Sequence, residues 1–171
     1  VLGCLAPARA VASDVFGPLI EIWQTLKDTP DVLKQWYRDR WLAMSRGRKV
    51  TEYERTRAAY NADPNGADLL FLCRACYGGV VRFRKSDGYM STPCGIHDPI
   101  SPDAFARRVD DWHHRVRHTT FRNFDFAQAM SLAKKGDLIY CDPPYSDSQS
   151  ILYGAQSFSL ERLLEIITSC K

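Results

Sequence analysis

The residues of this chain whose types and spacing suit covalent chemistry lie in Leu138-Ile-Tyr-Cys-Asp142-Pro-Pro-Tyr145, an apolar run that stops at an acid, two prolines and an aromatic ring. A buried parallel strand reads as a continuous apolar run, and Pro143 has no N–H for a sheet ladder, so the pattern predicts a strand ending at Asp142. In open α/β sheets ligands bind outside the carboxyl ends of the strands, which puts Asp142 and Tyr145 at a pocket. The chemistry these groups suit is methylation of an exocyclic amine on a planar base. Such an amine is a weak nucleophile because its lone pair is delocalised into the ring, and alkylation leaves positive charge on the nitrogen. The Asp142 carboxylate and the Pro143 carbonyl accept hydrogen bonds from the amine and stabilise that charge as it develops, without a strong base. Pro144 brings no competing N–H, and Tyr145 offers a stacking face worth ~1–3 kcal/mol. An ordinary strand-to-turn junction around a buried Tyr145 is the other reading of the same residues.

Two further acids are expected at that edge. The stretch from Arg9 to Asp14 reads as a short strand ending in an acid, followed by Phe16, Leu19, Ile20, Trp23 and Leu26 at helical spacing. An acid so placed accepts hydrogen bonds from ribose hydroxyls in nucleotide-binding sheets, or simply caps the next helix. Thr120-Phe-Arg-Asn123 reads as another strand, followed by Asp125 and Phe126, an acid and a ring suited to an adenine. Three strand-end acids on one sheet would make a single cleft. Between these strands the pattern predicts helices over 30–46, 52–60, 68–76 and 105–117 and a β-hairpin pairing 80–83 with 89–93 around Lys85-Ser-Asp-Gly88. Ser159 is expected to cap a last amphipathic helix with Leu160, Leu163, Leu164, Ile166 and Ile167 inward.

Composition sets the outer bounds. At 171 residues, with 45% hydrophobic and 25% charged residues, the chain reads as a globular, soluble unit of about one domain. No run approaches the ~18 apolar residues that span a bilayer, and no serine elbow, P-loop or internal repeat is present. Residues 71–122 carry nine Arg or Lys against five Asp, together with all four histidines, while the remainder is close to neutral. A basic, aromatic-bearing stretch beside a neutral body suits a nucleic-acid polyanion. A solvated helix face over 105–117 accounts for some of these charges, but not for Arg82, Arg84 and Lys85 on one hairpin. The six cysteines read as reduced thiols, consistent with a cytoplasmic chain. Cys73-Arg-Ala-Cys76 followed by Cys94-Gly-Ile-His97 also meets the ligand count of a zinc site, with plain burial of small thiols as the alternative.

Over nearly its whole length the chain resembles Dam-type DNA adenine methyltransferases. The resemblance is carried by Val11-Ala-Ser-Asp14 before a Pro-Leu-Ile helix, Tyr53-Glu-x-x-Arg57 with Asn61, and Phe71-Leu72 leading into Tyr77-Gly-Gly-Val-Val-Arg-Phe83. Thr92-Pro-Cys-Gly95, Asn123-Phe-Asp125 and Gly136-Asp-Leu-Ile-Tyr-Cys-Asp-Pro-Pro-Tyr145 complete it. It implies an α/β fold: a partial Rossmann-like methyltransferase sheet with an inserted, largely helical target-recognition region containing a β-hairpin. The implied division is 1–50 and 119–171 for the catalytic and cofactor-binding domain and 51–118 for the insertion. S-adenosylmethionine is the implied donor, with Asp14, Asp125, Phe126 and Asp142 on the cofactor side. Asp142, Pro143, Pro144 and Tyr145 hold a flipped-out adenine, the enzyme takes it out of the duplex at a cost of ~a few kcal/mol, and Tyr77, Arg82, Arg84 and Lys85 face double-stranded DNA. A cognate restriction endonuclease is the implied further partner.

Departures from the family pattern shape the remaining expectations. Only 13 residues precede Asp14, too few for a glycine-rich cofactor turn, and one helix follows the Asp142 stretch. The chain is therefore expected to be an internal fragment, inactive and marginally folded alone, with an exposed sheet edge. Two alternatives stay open: a ribosomal RNA base methyltransferase using the same Asp142 chemistry, and a non-enzymatic zinc module binding DNA through 71–122.

Overall fold

Proline opens the helices that build the body. In this computed structural model, which describes residues 2–143 and 158–169, Pro18, Pro30 and Pro102 stand in the first turns of α2 (Gly17–Asp28), α3 (Pro30–Arg46) and α6 (Pro102–Val116). There a missing N–H costs nothing, because the first-turn donors lack intrahelical partners. Two more helices, α4 (Lys49–Ala62) and α5 (Gly66–Ala75), complete the bundle, and a short α1 (Leu2–Leu5) lies against α6. α5 is the centre. Residues 66–72 and Ala75 are all buried, and α2, α3 and α4 pack around it. A helix apolar on every face belongs inside such a bundle.

Polar groups that enter this core are paired. Asp68, only 7% exposed, accepts from Arg40 Nε at 2.6 Å and from Asn65 Nδ2 at 2.9 Å. Gly66 N–H donates to Glu21 Oε2 at 2.6 Å, and a Cβ on Gly66 would meet the Pro18 carbonyl at 3.0 Å, so glycine allows α5 to start against α2. Tyr37 stacks on Phe105 with 4.1 Å between centroids and donates its hydroxyl to the Ile100 carbonyl at 2.7 Å, tying α3 to the entry of α6.

The strands are few. β1 (Ala10–Ser13) and β2 (Thr119–Arg122) form a parallel pair in the register Ala10↔Thr119 to Ser13↔Arg122, and the whole helical bundle lies in the connection between them. Trp23 of α2 stacks on Phe121 at 5.3 Å, and Gln24 Nε2 donates to the Phe121 carbonyl at 3.0 Å, which fixes the sheet on the bundle. The molecule is thus a mixed α/β protein, mostly helical, with a small two-stranded parallel sheet, an arrangement consistent with a methyltransferase fold. Beyond β2 come α7 (Phe126–Met130) and α8 (Leu160–Ser169).

Three expectations need correction. No strand forms over 138–142: Leu138 is 85% and Tyr140 65% exposed, since a continuous apolar run is stable as a strand only with paired neighbours and cover on both faces. The expected hairpin appears as a chain reversal with one isolated antiparallel bridge, Phe83↔Met90, rather than as two named strands. In α8, Leu163 is buried as expected, but Leu160, Leu164 and Ile167 are exposed; among the described residues the main element packed against α8 is the short α7.

Three buried tyrosines give the fold a pH dependence. Burial pushes the phenols of Tyr37, Tyr53 and Tyr60 up from 10.0, that of Tyr37 to about 12. The unfolded chain then releases protons near pH 10 that the folded chain retains. Stability is therefore fully present below about pH 10 and is lost as pH rises further, by about 1.4 kcal/mol per pH unit for each such tyrosine. Denaturant titrations across this range should show the decline, and Tyr37→Phe should make it shallower. Equal slopes for both proteins would contradict the assignment.

Candidate active site and nucleic-acid interface

Because β1 and β2 are parallel and in register, both chains leave the sheet at the same edge. Asp14 N–H donates to the Arg122 carbonyl at 3.3 Å and Asn123 Nδ2 donates to the Asp14 carbonyl at 2.9 Å, so the two strand ends are joined. The Asp14 carboxylate is exposed and accepts from the Phe16 N–H at 2.8 Å, which turns the chain into α2. Asp14 is therefore not the N-cap expected as an alternative: that position is Phe16, which has no side-chain cap, and the Asp14 bond closes a local turn ahead of it. An ionised carboxylate has room for about four hydrogen bonds, so this one leaves capacity for a ligand.

At the end of β2, Asp125 caps α7. Its Oδ1 accepts from Gln128 N–H at 2.8 Å while Gln128 Oε1 accepts from Asp125 N–H at 3.0 Å, a reciprocal capping box. Arg162 of α8 donates to Asp125 Oδ2 at 3.0 Å, and its guanidinium lies 5.2 Å from the centre of the Phe126 ring. The Gln128 N–H and then the Arg162 guanidinium hold the Asp125 carboxyl below the usual carboxylate range. Phe158 meets Phe126 edge-on at 6.0 Å. The fold therefore brings Asp14 and the Asp125–Phe126 pair to one edge. Asp142 is exposed and Pro143 half-buried at the end of the uncovered run, outside the sheet, and Pro144 and Tyr145 lie outside the described residues.

The basic reversal is built from the other side, by α4. After α5, Tyr77–Gly79 forms one 3₁₀ turn in which Gly78 and Gly79 take positive φ of 65° and 68°, a conformation that favours glycine. The chain then runs out and back. Asn61 Oδ1 accepts from Met90 N–H at 2.7 Å and Asn61 Nδ2 donates to the Met90 carbonyl at 3.1 Å. One turn earlier Arg57 Nη1 donates to the Ser91 and Thr92 carbonyls, each at 3.1 Å, and one turn before that the Tyr53 hydroxyl donates to the Thr92 carbonyl at 2.8 Å. Phe83 and Met90 are buried beneath the reversal, and Phe83 meets Phe16 at 5.6 Å, two residues past Asp14. The acidic edge and the basic reversal therefore share a packing contact.

The four residues expected to face DNA differ in freedom. Tyr77 is 56% exposed, and Arg82 and Lys85 are exposed with no side-chain acceptor among the described residues. Arg84 instead makes a two-point pair with Asp87, at 3.0 and 2.6 Å, and lies 4.2 Å over the Tyr89 ring, so it stabilises the turn. Tyr53, Arg57 and Asn61 carry the family resemblance in sequence without a role attached; their spacing of four residues, one helical face, is the signal that could have assigned one.

The zinc alternative is not carried by the geometry. Among the described residues no group of three or more His, Cys, Asp or Glu is gathered to hold a metal. Cys76 and Cys94 are bridged through their backbones, and His97 lies exposed on the loop after them. Burial pushes the thiols of Cys73, Cys76 and Cys94 up, that of Cys73 to about 12. No helix among the described residues is long and apolar enough to cross a membrane.

Residues 2–169 match the family described as D12 class N6 adenine-specific DNA methyltransferase. A DNA adenine methylase of Salmonella typhi is 27% identical over 162 residues, covering 90% of this chain and 56% of the relative. The Type II methyltransferase M1.LlaDCHI of Lactococcus lactis subsp. cremoris is 26% identical over 176 residues, 92% of this chain and 58% of its own length. The Retron Ec67 DNA adenine methylase of Escherichia coli is 32% identical over 83 residues, 48% of this chain and 28% of the relative. The chain spans about half the length of the curated relatives it matches along most of its sequence.

Thiol labelling checks the cysteine assignment. Exposed Cys4 and Cys141 should react in the native state, whereas buried Cys76 should react only on unfolding, and a zinc chelator should leave the melting temperature unchanged. A chelator-induced loss of stability would restore the zinc reading.

Proposed function

The chain belongs to the D12 class N6 adenine-specific DNA methyltransferases, and from that premise we propose that the whole protein methylates the exocyclic N6 amine of a flipped-out adenine in double-stranded DNA. The observation that carries this reading is the shared edge: Asp14 and Asp125–Phe126 lie at one end of the parallel sheet, and Phe16–Phe83 packing joins that end to the basic reversal. In the whole protein we place 1–50 and 119–171 in the catalytic domain, built on a Rossmann-like sheet to which β1 and β2 belong, and 51–118 in a target-recognition insertion containing a hairpin.

The residues fit S-adenosylmethionine. Asp14 and Asp125 retain acceptor capacity for ribose or amino groups, and the Phe126 ring, beside Phe158, offers an apolar face for adenine. When bound, the cofactor supplies an electrophilic methyl on a sulfonium. In this reading the Asp142 carboxylate and the Pro143 carbonyl accept the two N–H bonds of the target amine, turn its lone pair toward the methyl, and stabilise the positive charge that develops on nitrogen. The proton that the methylated nitrogen must lose would pass Asp142 to water. Tyr145 stacks on the extruded base, for which Pro144 leaves the acceptors uncontested. Tyr77, Arg82 and Lys85 engage the duplex, with Arg84 bracing the turn that presents them. The Type II name of one relative is the support for a cognate restriction endonuclease as partner.

Mass spectrometry of nucleosides from cells expressing the complete reading frame that contains this chain tests the proposal, with Asp142→Ala in parallel. N6-methyldeoxyadenosine should appear with the native residue and fall by at least about 100-fold in the variant, the scale of losing an electrostatic stabiliser of the transition state. Methylated bases in RNA with unmodified DNA would sink the DNA assignment.

A further inference from the structure

The reversal that carries Arg82 and Lys85 is thinly paired on its own. Its two arms exchange the bonds Arg84 N–H to the Tyr89 carbonyl and Ser91 N–H to the Arg82 carbonyl, each at 2.9 Å, around one isolated bridge. A lone two-stranded ribbon of this kind is marginal in water. What it lacks is a third strand, and the Asn61 carboxamide stands where that strand's peptide would pair. A carboxamide offers the same donor and acceptor as a peptide unit, and Asn61 uses both on Met90, whose side chain is fully buried. From there the connections lead to Arg82. Thr92 Oγ1 accepts from the Arg82 N–H at 2.8 Å and donates to the Val80 carbonyl at 3.0 Å, while the Arg82 carbonyl accepts from Ser91. Both backbone polar groups of Arg82 are therefore held by the two residues that follow Met90, and the arm that holds them is fixed to α4 by Asn61.

We propose that Asn61 is a positioning residue for DNA engagement, fixing the backbone from which Arg82 reaches the duplex. This rests on the DNA methyltransferase reading given above. Arg57 and Tyr53 grip the same arm at the next two carbonyls, but each meets it only as a donor. Asn61 alone of the three satisfies a donor and an acceptor of one residue, and so it sets register as well as distance.

The test is a double-mutant cycle in the complete reading frame, reading affinity for a fluorescein-labelled duplex of mixed sequence by anisotropy, together with KM for DNA, kcat and S-adenosylmethionine affinity. Asn61→Ala should weaken duplex binding about tenfold and raise KM for DNA to match, as expected when a pair of hydrogen bonds is lost. Its kcat at saturating DNA and its cofactor affinity should stay within about twofold, because the edge that bears them is untouched. In an Arg82→Ala background the same substitution should change binding by less than about twofold, since a residue acting through Arg82 has nothing further to act on. Asn61→Asp, which keeps the acceptor and loses the donor, should also weaken binding while leaving cofactor affinity intact, which separates positioning from unfolding. Equal effects of Asn61→Ala with and without Arg82, or no effect in either background, would overturn the proposal. A wild-type frame that binds and methylates no DNA would instead overturn the function on which it rests, and this proposal with it.

Discussion

The rest of the structure depends on how an extended chain is satisfied inside a helical protein. A strand pairs its backbone with neighbouring strands, and residues 90–92 have only one short antiparallel arm beside them. Buried peptide groups without partners are costly, so the second side must come from somewhere. It comes from one face of α4, where Tyr53, Arg57 and Asn61 recur every four residues and meet successive carbonyls of the returning arm. Side chains on a helix thus do the work of a strand. The consequence is that a solvent-facing, positively charged turn is anchored to the most buried part of the molecule, because α4 itself packs on the central α5.

The same body holds the opposite element. Trp23 and Gln24 of α2 secure β2, and β2 in parallel register with β1 sets where both chains leave the sheet. Acid and base are therefore segregated by architecture: carboxylates gather at the sheet edge, and exposed Arg82 and Lys85 sit on the reversal, with Phe16 against Phe83 between them. A polyanion drawn to the basic side would lie next to this acidic edge, without either charge set neutralising the other directly.

Much of this was legible in the sequence where local and tertiary preferences agree. The helix over 30–46 matches α3 at both ends, since proline starts it and Gly47 follows it, the strand expected before Asp14 is β1, and the one expected over 120–123 is β2, set one residue earlier at each end. The signals failed where a pattern needs a partner. The run at 138–142 has the composition of a buried strand but lies exposed, and Leu160, Leu164 and Ile167 of α8 lie exposed for the same reason. Cysteine spacing meets the ligand count of a zinc site, yet spacing counts ligands without orienting them, and among the described residues no three such ligands are gathered. Arg84 looked equivalent to Arg82 because sequence shows charge but not the Asp87 pair that occupies it. The Asn61 contacts were invisible for a related reason: a polar residue on a helix says nothing of a backbone 29 positions away.

Amide hydrogen exchange on the complete reading frame, free of DNA, tests the central claim most directly by reading the Met90 N–H. If α4 takes the place of the missing strand, that amide should exchange as slowly as those of α4 and α5, and Asn61→Ala should release it while leaving the α5 amides protected. Exchange of the native Met90 amide at the rate of an open surface loop would mean that the helix does not hold the arm, and the link from α4 to Arg82 would fall.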